Sequence, residues 1–329
     1  MLFPEVAGSG LVGIARLAAE SDCLESKRRV EYFELPTRRF IGRCSSKRGM
    51  PFQWTINPYR GCEFGCKYCY ARYTHEFMEL RDPEQFETLI FAKQWSEAGF
   101  RAELERIPVA DHIAIGTATD PYQPAERRFG VTRSILKSFA AGRARSLSIT
   151  TKSDAVARDV DLLAEISKRN ALSVNMTVTT MDERLARLLE PFAPRPWLRM
   201  AAIRKIASAG ISCNVFCCPV MPLINDSERS IERVAEAARE AGATWFMGNP
   251  LFLKPCSKRV FLPFVEREFP HLARRYRERY ERSAFLKGDY PAVMKERIRR
   301  AREKFGLTKN GLEYRPGEWE ESPQLSLFE

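Results

Sequence analysis

Three cysteines in one short segment are the residues of this chain most able to do chemistry. Cys62, Cys66 and Cys69 form a CxxxCxxC spacing directly after a short β-rich run. Three thiolates on one loop can hold three corners of a 4Fe-4S cubane cluster, whose fourth iron then has no protein ligand and is open to a small molecule. Gly61 and Gly65 suit a loop whose backbone turns sharply around such a cluster. The spacing therefore predicts an iron–sulfur site with one reactive iron.

Zinc is the alternative metal for the same thiols. Cys62, Cys66 and Cys69 together with His75 could form a structural Cys3His site, because zinc also takes thiolate and imidazole ligands. The protein would then be a zinc-stabilised nucleic-acid-binding module without catalysis. The chain has nine cysteines, and in a reducing compartment such residues are more often metal ligands, catalytic groups or buried apolar side chains than disulfides.

Short β-rich runs that alternate with helical patterns must position this loop. The runs cover residues 54–57, 112–117, 147–151, 172–179, 212–217 and 244–247. Helical periodicity covers residues 130–141, 160–169, 197–209 and 227–241. This alternation predicts an α/β fold, a partial (βα)6 TIM-like barrel whose reactive end lies where the strands' carboxyl ends meet. An open doubly wound sheet is the structural alternative.

Changes in composition divide the 329-residue chain into four predicted parts. Residues 1–50 are an N-terminal extension, and residues 51–250 are the barrel core. Residues 251–310 are a basic helical region, and residues 311–329 are a short flexible tail that is acidic and contains Pro and Gly.

The charge balance points to an anionic partner. The chain has 53 Lys and Arg residues against 42 Asp and Glu residues, a formal net charge of +11. Such an excess favours nucleic acid or a membrane surface.

The sequence shows neither a signal-peptide pattern at its start nor an apolar stretch of about 18 residues that could cross a bilayer. We therefore expect a cytoplasmic protein with no membrane partner.

The cysteine loop resembles that of the radical S-adenosylmethionine (SAM) superfamily. The resemblance lies in the CxxxCxxC spacing with an aromatic residue, Tyr68, before the third cysteine. Within the superfamily, Cys-Lys-Tyr-Cys-Tyr at 66–70 and Thr-Lys-Ser-Asp at 151–154 resemble the spore photoproduct lyase group, sometimes labelled DNA repair photolyases. The likeness extends over roughly residues 50–250.

This resemblance implies two cofactors, a 4Fe-4S cluster on Cys62, Cys66 and Cys69, and SAM. In the superfamily the open iron chelates the amino and carboxylate groups of SAM. One electron, which an electron donor must supply, then cleaves the sulfonium and gives a 5′-deoxyadenosyl radical. The resemblance also implies that Tyr68 lies against the adenine.

Polar side chains at the strand ends are the candidate SAM-binding residues. By analogy with the superfamily, Thr119 and Asp120 lie near the SAM amino group, although an Asp-Pro turn would explain them equally well. Lys152 and Ser153 end the third strand, where the resembled group places contacts to the SAM carboxylate. Asn175 and Thr177 alternate on the fourth strand and are candidate ribose or carboxylate contacts; the β-propensity of Thr is the alternative. The binding set is Tyr68, Thr119, Asp120, Lys152, Ser153, Asn175 and Thr177.

Hydrogen-atom transfer requires a donor, and the sequence departs from the spore enzyme here. That group has a donor cysteine about where Thr117 stands, and no cysteine lies between Cys69 and Cys213 in this chain. Cys217 and Cys218 on the fifth strand are the candidate donors, and burial as small apolar residues is the alternative. Tyr70 matches a tyrosine in that group's hydrogen-transfer path, or packs as an ordinary aromatic.

Two C-terminal features suggest nucleic-acid partners. Residues 258–309 hold sixteen Lys and Arg against seven Asp and Glu, and they include runs of arginine interleaved with Tyr276, Tyr280 and Phe285. Such a face can contact phosphates and stack on bases, although charged helices are also often simply solvated. Residues 324–328, Gln-Leu-Ser-Leu-Phe, resemble the peptide by which bacterial DNA polymerases and repair proteins dock on the replication sliding clamp.

The sequence thus predicts a radical SAM enzyme, with DNA and the sliding clamp as expected partners. A DNA lesion or another nucleic-acid group is the expected substrate, and a lyase reaction in DNA repair is the expected activity. A radical SAM enzyme that acts on a small molecule or a protein is one alternative. The zinc-stabilised binding module is the other.

Overall fold

Two β-sheets organise the chain. A computed structural model describes residues 10–27, 30–37, 39–44 and 50–310, and the clamp-like segment from Gln324 to Phe328 lies outside these residues. Within the described ranges the larger sheet has seven strands and the smaller has four. The strands are β1 Cys23–Lys27, β2 Val30–Leu35, β3 Ile41–Arg43, β4 Trp54–Ile56, β5 Tyr59–Arg60, β6 Leu89–Lys93, β7 His112–Ile115, β8 Ser146–Thr151, β9 Ala171–Thr177, β10 Ser212–Val220 and β11 Trp245–Pro250.

The larger sheet runs in the order β11-β10-β9-β8-β7-β4-β3. Its strands from β4 to β11 pair in parallel, and β3 pairs antiparallel with β4 at the edge. The parallel strands stand side by side in chain order, whereas a doubly wound sheet reverses its order at a switch point. The fold is therefore a partial TIM-like barrel that is not closed. The prediction of six parallel strands is confirmed, and the edge strand β3 was not predicted.

Side chains of the barrel strands alternate between an apolar and a polar face. Aliphatic side chains with no exposed surface pack against the helices; they are Ile113, Ile115, Leu147, Ile149, Leu172 and Val215. The opposite face carries buried polar groups. There the two ring nitrogens of His112 lie 2.7 Å from Ser146 Oγ and 2.8 Å from Ser148 Oγ. The interior of the partial barrel is thus polar, which suits a ligand-binding surface better than a closed apolar core.

Helices follow the barrel strands and cover the apolar face. The helix from Glu228 to Glu240 begins where the Ser227 hydroxyl accepts a hydrogen bond from the Ser230 amide at 3.1 Å, as expected of an N-cap serine. Its apolar stripe of Ile231, Val234 and Ala238 is buried. The helices are α1 Gly13–Ala19, α2 Tyr73–Glu76, α3 Gln85–Thr88, α4 Glu97–Glu105, α5 Glu126–Phe129, α6 Val131–Ala140, α7 Val160–Arg169, α8 Glu183–Leu189, α9 Pro196–Ser208, α10 Glu228–Glu240, α11 Pro255–Glu268, α12 Ala273–Tyr280 and α13 Tyr290–Lys304.

The smaller sheet supports the start of the cysteine loop. Its order is β1-β2-β6-β5, and the two-residue strand β5 leads directly into Gly61. Phe33 and Leu35 of β2 pack with Phe91 of β6 in a separate apolar cluster. Part of the predicted N-terminal extension therefore forms a sheet with residues that follow the cysteine loop.

The basic helices at the C-terminal end enclose the cysteine loop. Phe261 of α11 and Tyr276 of α12 belong to the same apolar cluster as Cys66 and Tyr68. The Ser257 hydroxyl donates a hydrogen bond of 2.9 Å to the carbonyl oxygen of Cys69. Helix α13 packs against β11 through its buried face. Among the helices of the described ranges, none is both long and apolar enough to cross a bilayer.

Candidate active site

Backbone geometry at Gly61 fixes the start of the cysteine loop. Gly61 has a φ angle of +84°, and a Cβ atom there would lie 2.8 Å from the carbonyl oxygen of Leu89 and 2.9 Å from that of Phe86. Only glycine combines this left-handed backbone with so close an approach. The Cys62 amide next to it donates a hydrogen bond of 2.8 Å to Phe86 O. The loop is therefore anchored to the residues around β6.

The three cysteine thiols of the loop are reduced and lie within electrostatic reach of one another. Cys66 is buried, and Cys62 and Cys69 are half-buried. Burial raises the pKa of Cys66 to about 12, and it also raises the pKa of Cys62 and of Cys69. The charges of Lys152 and Arg72 oppose this rise at Cys69. Metal binding would displace the protons, and these cations would then face the thiolates.

The zinc alternative is wrong about its fourth ligand. His75 is buried with Nε2 3.0 Å from Leu89 O, and its ring packs against Phe86 and Phe91. In the part of the chain that the structure describes, no three His, Cys, Asp or Glu side chains are grouped around one ion. Sulfurs that share one zinc lie about 4 Å apart, whereas the cysteines of a cubane bind different irons and stand farther apart. Three thiols on one loop without an imidazole beside them are the donor set of a 4Fe-4S cluster rather than of a Cys3His zinc site.

A buried ion pair between Glu190 and Arg199 lies next to the Tyr68 hydroxyl. Glu190 and Arg199 are fully enclosed, and the carboxylate of Glu190 accepts hydrogen bonds from Arg199, from the Tyr68 hydroxyl and from Thr179 Oγ1. Arg199 also donates a hydrogen bond of 2.9 Å to the carbonyl oxygen of Thr177. Burial alone would raise the pKa of Glu190, but Arg199 and Lys152 hold it below its ordinary value. Sequence reasoning missed both Glu190 and Arg199.

Thr119 and Asp120 lie beside the loop, with their polar atoms bonded to the protein. Thr119 Oγ1 donates a hydrogen bond of 2.6 Å to Gly61 O. The carboxylate of Asp120 accepts hydrogen bonds from Thr151 Oγ1 at 2.6 Å and from the Lys152 amide at 2.7 Å. The Asp120 carboxylate also accepts a hydrogen bond of 2.9 Å from the Tyr122 amide. This bond forms the Asp-Pro turn that was the alternative to SAM binding. These two side chains hold the loop and the end of β8 together.

Lys152 is the cation at the centre of the site. Its Nζ lies 5.7 Å from the centre of the Tyr68 ring. Burial alone would lower the pKa of Lys152, but the charges of Cys66, Glu190 and Asp120 raise it above its ordinary value. The Ser153 hydroxyl, by contrast, accepts a hydrogen bond of 3.3 Å from the Ala155 amide. Ser153 therefore caps the turn that follows β8, whereas Lys152 remains charged next to the thiols.

Asn175 belongs to a row of polar side chains across the barrel interior. Its Nδ2 donates a hydrogen bond to Thr150 Oγ1 at 3.3 Å, and its Oδ1 accepts one from Asn214 Nδ2 at 2.7 Å. The Oδ1 atom of Asn214 is buried and has no partner among the described residues. Thr177 follows on the same face of β9. This row presents an unused acceptor, as expected of a surface that receives a ligand.

The two candidate thiols on β10 face opposite sides of the sheet. Cys217 shares a face with Cys213 and Val215 in the apolar core, and its Sγ lies 3.8 Å from Thr179 O. Cys218 points to the other, polar face. Burial raises the pKa of Cys218 to about 11, and the nearby charge of Lys152 opposes that rise. Of the two, Cys218 is the thiol on the side of the site.

Tyr70 lies at the carboxyl-end edge of the barrel. Its hydroxyl donates a hydrogen bond to Thr117 O, just beyond β7, and its ring centre lies 5.2 Å from that of Phe252, just beyond β11. Thr117, just beyond β7, bonds with Thr55 and with Asn57 Nδ2 at 3.2 Å. No thiol takes part in this contact.

Several supporting residues could not be identified as such from the sequence. Gln123 is completely buried, accepts a hydrogen bond from the Glu63 amide at 3.0 Å and donates one to Gly61 O at 3.1 Å. Arg72, also buried, donates a hydrogen bond to Cys66 O at 3.1 Å and pairs with Glu87 at 2.7 Å. Gln123 and Arg72 lie in or near motifs that the sequence singled out, but their contacts depend on the fold.

Comparison with known proteins finds a matching family model and similar sequences. The family model of the radical SAM superfamily matches residues 56–236. An uncharacterized protein of Mycobacterium tuberculosis (strain ATCC 25618 / H37Rv) is 33% identical over 270 residues, which cover 82% of this chain and 79% of that protein. An uncharacterized protein of Methanocaldococcus jannaschii is 30% identical over 222 residues, which cover 66% of this chain and 77% of that protein.

Solved structures show a similar fold. A spore photoproduct lyase complexed with dinucleoside spore photoproduct matches with a TM-score of 0.60 at 16% identity, over 83% of this chain and 79% of that chain. A mutant of spore photoproduct lyase with bound AdoMet and dinucleoside spore photoproduct matches with a TM-score of 0.59 at 16% identity, over the same shares of the two chains. Because the family model spans more than half of the sequence, the chain belongs to the radical SAM superfamily, which uses a 4Fe-4S cluster and SAM.

Proposed function

We propose that this protein cleaves SAM reductively and directs the resulting radical to a DNA lesion or another nucleic-acid group, as a lyase in DNA repair. The observation that carries the first part is that one loop holds three free thiols, and that the charge of Lys152 lies within electrostatic reach of two of them, Cys66 and Cys69. A cluster held there would supply one electron to SAM at its open iron. An external electron donor must reduce it.

The residues around the loop have distinct roles in this proposal. Lys152 binds the carboxylate of SAM, because its ammonium group is charged and faces the polar interior. Tyr68 lies against the adenine, and Glu190 with Arg199 fixes the Tyr68 ring through its hydroxyl. Asn175 and Thr177 offer hydrogen bonds to the ribose. Thr119 and Asp120 keep the strand ends at the distance that these contacts require.

The nucleic-acid substrate is supported by two independent features. One solved spore photoproduct lyase structure that shares the fold is complexed with a dinucleoside spore photoproduct. The chain itself carries a net charge of +11, which favours a polyanion. A base lesion would have to leave its stack to reach the barrel interior. The reaction differs from that of the spore enzyme in its hydrogen donor, because Thr117 replaces the thiol.

Cys218 is the hydrogen-atom donor in this proposal. The substrate radical takes the hydrogen atom of the Cys218 thiol, so that a carbon–hydrogen bond forms and a sulfur radical remains. One electron and one proton, with the electron from the same external donor, return the sulfur radical to the thiol. Cys217 cannot serve, because its side chain lies in the apolar core on the far face of β10.

Removal of Cys66 tests SAM cleavage. In the anaerobically reconstituted protein, reduced by dithionite, Cys66→Ala should lower the formation of 5′-deoxyadenosine at least a hundredfold, because one iron loses its thiolate. The measurement is chromatographic quantification of 5′-deoxyadenosine. Cys256→Ala is the matched control, since Cys256 is also buried but lies outside the loop. Unchanged cleavage by the Cys66 variant would contradict the proposal.

Deuterium transfer separates the two β10 thiols. With ultraviolet-irradiated DNA in D2O, the wild-type protein and Cys217→Ala should place deuterium in the product nucleoside, because a thiol exchanges with solvent. Cys218→Ala should place none, or should release altered products. The measurement is mass spectrometry of the digested DNA. Equal deuterium in both variants would exclude Cys218, and no product with any DNA would exclude the DNA substrate.

The clamp interaction is a further part of the proposal and rests on the sequence of residues 324–328 alone. The double variant Gln324→Ala, Phe328→Ala should lose binding to a purified bacterial sliding clamp, because the polar anchor and one apolar side chain are removed. Ser326→Ala is the control and should retain binding. Surface plasmon resonance measures both. Equal binding by all three proteins, or none by the wild type, would refute this partner.

A further inference from the structure

Arg60 is a cation without a compensating acid beside the cysteine loop. It ends β5, and its Nε atom is buried and makes no hydrogen bond within the described ranges. No ion pair joins Arg60 to a carboxylate of those ranges. Arg60 as a whole is half-buried, and a guanidinium whose Nε is buried without a partner is stabilised by an approaching anion.

A second cation, Lys254, lies over the ring of Tyr73, which is within electrostatic reach of Arg60. The Nζ atom of Lys254 lies 3.2 Å from the centre of the Tyr73 ring. Burial raises the pKa of Tyr73, and the Arg60 guanidinium opposes this rise, so Arg60 also lies close to this side chain. Glu76, an acid within electrostatic reach of Lys254, is paired with Arg259 at 3.2 Å. Two cations thus meet at one tyrosine.

Lys93 is a further basic group within electrostatic reach of Arg60. Burial lowers the pKa of Lys93 to about 7, and repulsion from Arg60 adds to that effect. The Nζ atom of Lys93 has only carbonyl oxygens as hydrogen-bond partners, Phe40 O at 3.3 Å and Arg39 O at 3.4 Å. Lys93 is therefore only partly charged at neutral pH, and Glu103 offsets part of the repulsion, so the positive potential here comes mainly from Arg60 and Lys254.

Aromatic rings connect this group of charges with the site. The centres of the Tyr70 and Phe252 rings lie 5.2 Å apart, and those of Phe252 and Phe285 lie 5.3 Å apart. The planes of the Phe252 and Phe285 rings are nearly parallel, at 13°. Phe285 is 38% exposed. Lys254 follows Phe252 by two residues in the chain. The rings form a line from the cysteine loop to the surface, and flat rings of this kind stack on nucleobases.

The basic helices, by contrast, offer fewer free charges than their composition suggests. Most arginines of this face that sequence reasoning assigned to phosphate binding are held by acids or by rings. The ion pairs are Arg274–Glu278, Arg277–Glu266, Arg282–Glu281, Arg299 with Glu296 and Glu303, and Arg300–Glu228. Arg302 lies over the Trp245 ring, 4.4 Å from its centre. Arg60 and Lys254, by contrast, pair with no carboxylate of the described ranges, so both can contact a phosphate, although Lys254 also lies over a ring.

We propose that Arg60, Tyr73, Lys254, Phe252 and Phe285, here named the mouth rim, bind one strand of nucleic acid. A backbone phosphate lies between Arg60 and Lys254 beside Tyr73, and a base stacks on Phe285, which in turn stacks on Phe252. The adjoining nucleotide then reaches the barrel interior past Tyr70. This inference rests on the proposed nucleic-acid substrate and states where the strand lies.

Fluorescence anisotropy with a short labelled oligothymidylate tests the mouth rim on the reconstituted protein. Arg60→Gln and Lys254→Gln should each weaken binding about tenfold, because each removes a phosphate contact. Each should also reduce the magnitude of the slope of log affinity against log salt concentration by about one. Phe285→Ala should weaken binding about tenfold with an unchanged slope, because stacking releases no counterion. Arg274→Gln and Arg299→Gln are the matched controls and should bind as the wild type does.

Several outcomes would overturn the inference. If the Arg274 and Arg299 controls lose as much affinity as the rim variants, the strand binds on the basic helices. If Lys254→Gln and Phe285→Ala bind with full affinity, the strand does not bind at the mouth rim. Arg60→Lys should retain most of the affinity; its loss together with a lowered melting temperature would assign Arg60 to folding alone. A wild-type protein that forms 5′-deoxyadenosine but binds no oligothymidylate refutes the rim and leaves SAM cleavage intact. Binding without SAM cleavage refutes the proposed function and not the rim.

Discussion

The compensation of charge around the cysteine loop is the constraint on which the rest of the structure depends. Three thiolates enclosed by protein would be unstable without nearby cations, because burial of unpaired charge is costly. Lys152 supplies one positive charge beside Cys66, and Arg199 supplies a second. Glu190 balances Arg199 and orients Tyr68. Removal of one partner from such a buried pair costs about 3–5 kcal/mol, so these groups depend on one another.

The barrel explains why groups so distant in the chain meet. Parallel strands bring their carboxyl ends to one edge, where Thr119 and Asp120 after β7, Lys152 after β8 and Cys218 on β10 approach the loop after β5. Asp120 joins two of these ends, because its carboxylate bonds with both Thr151 and the Lys152 amide. The C-terminal helices complete the enclosure through Ser257. The loop is thus held by residues from all parts of the described chain.

The sequence predicts the local features well and the long-range ones poorly. The six parallel strands and the amphipathic helices follow from periodicity, and the faces of Cys217 and Cys218 follow from the alternation of a strand. Glu190 and Arg199 carry no local pattern, since each resembles an ordinary charged residue of a helical segment. Strands β1, β2 and β6 are short, and their sheet depends on pairing across the cysteine loop. The pairing of the C-terminal arginines likewise depends on which acids the fold brings near.

The central claim is that Cys62, Cys66 and Cys69 hold a cluster with one iron left for SAM. Electron paramagnetic resonance of the reduced, reconstituted protein tests it directly, with and without SAM labelled with ¹⁵N at its amino group. The account predicts a 4Fe-4S signal that changes when SAM is added and that couples to the labelled nitrogen. A signal that SAM leaves unaltered, or a protein that assembles no cluster while all three thiols are intact, would contradict it.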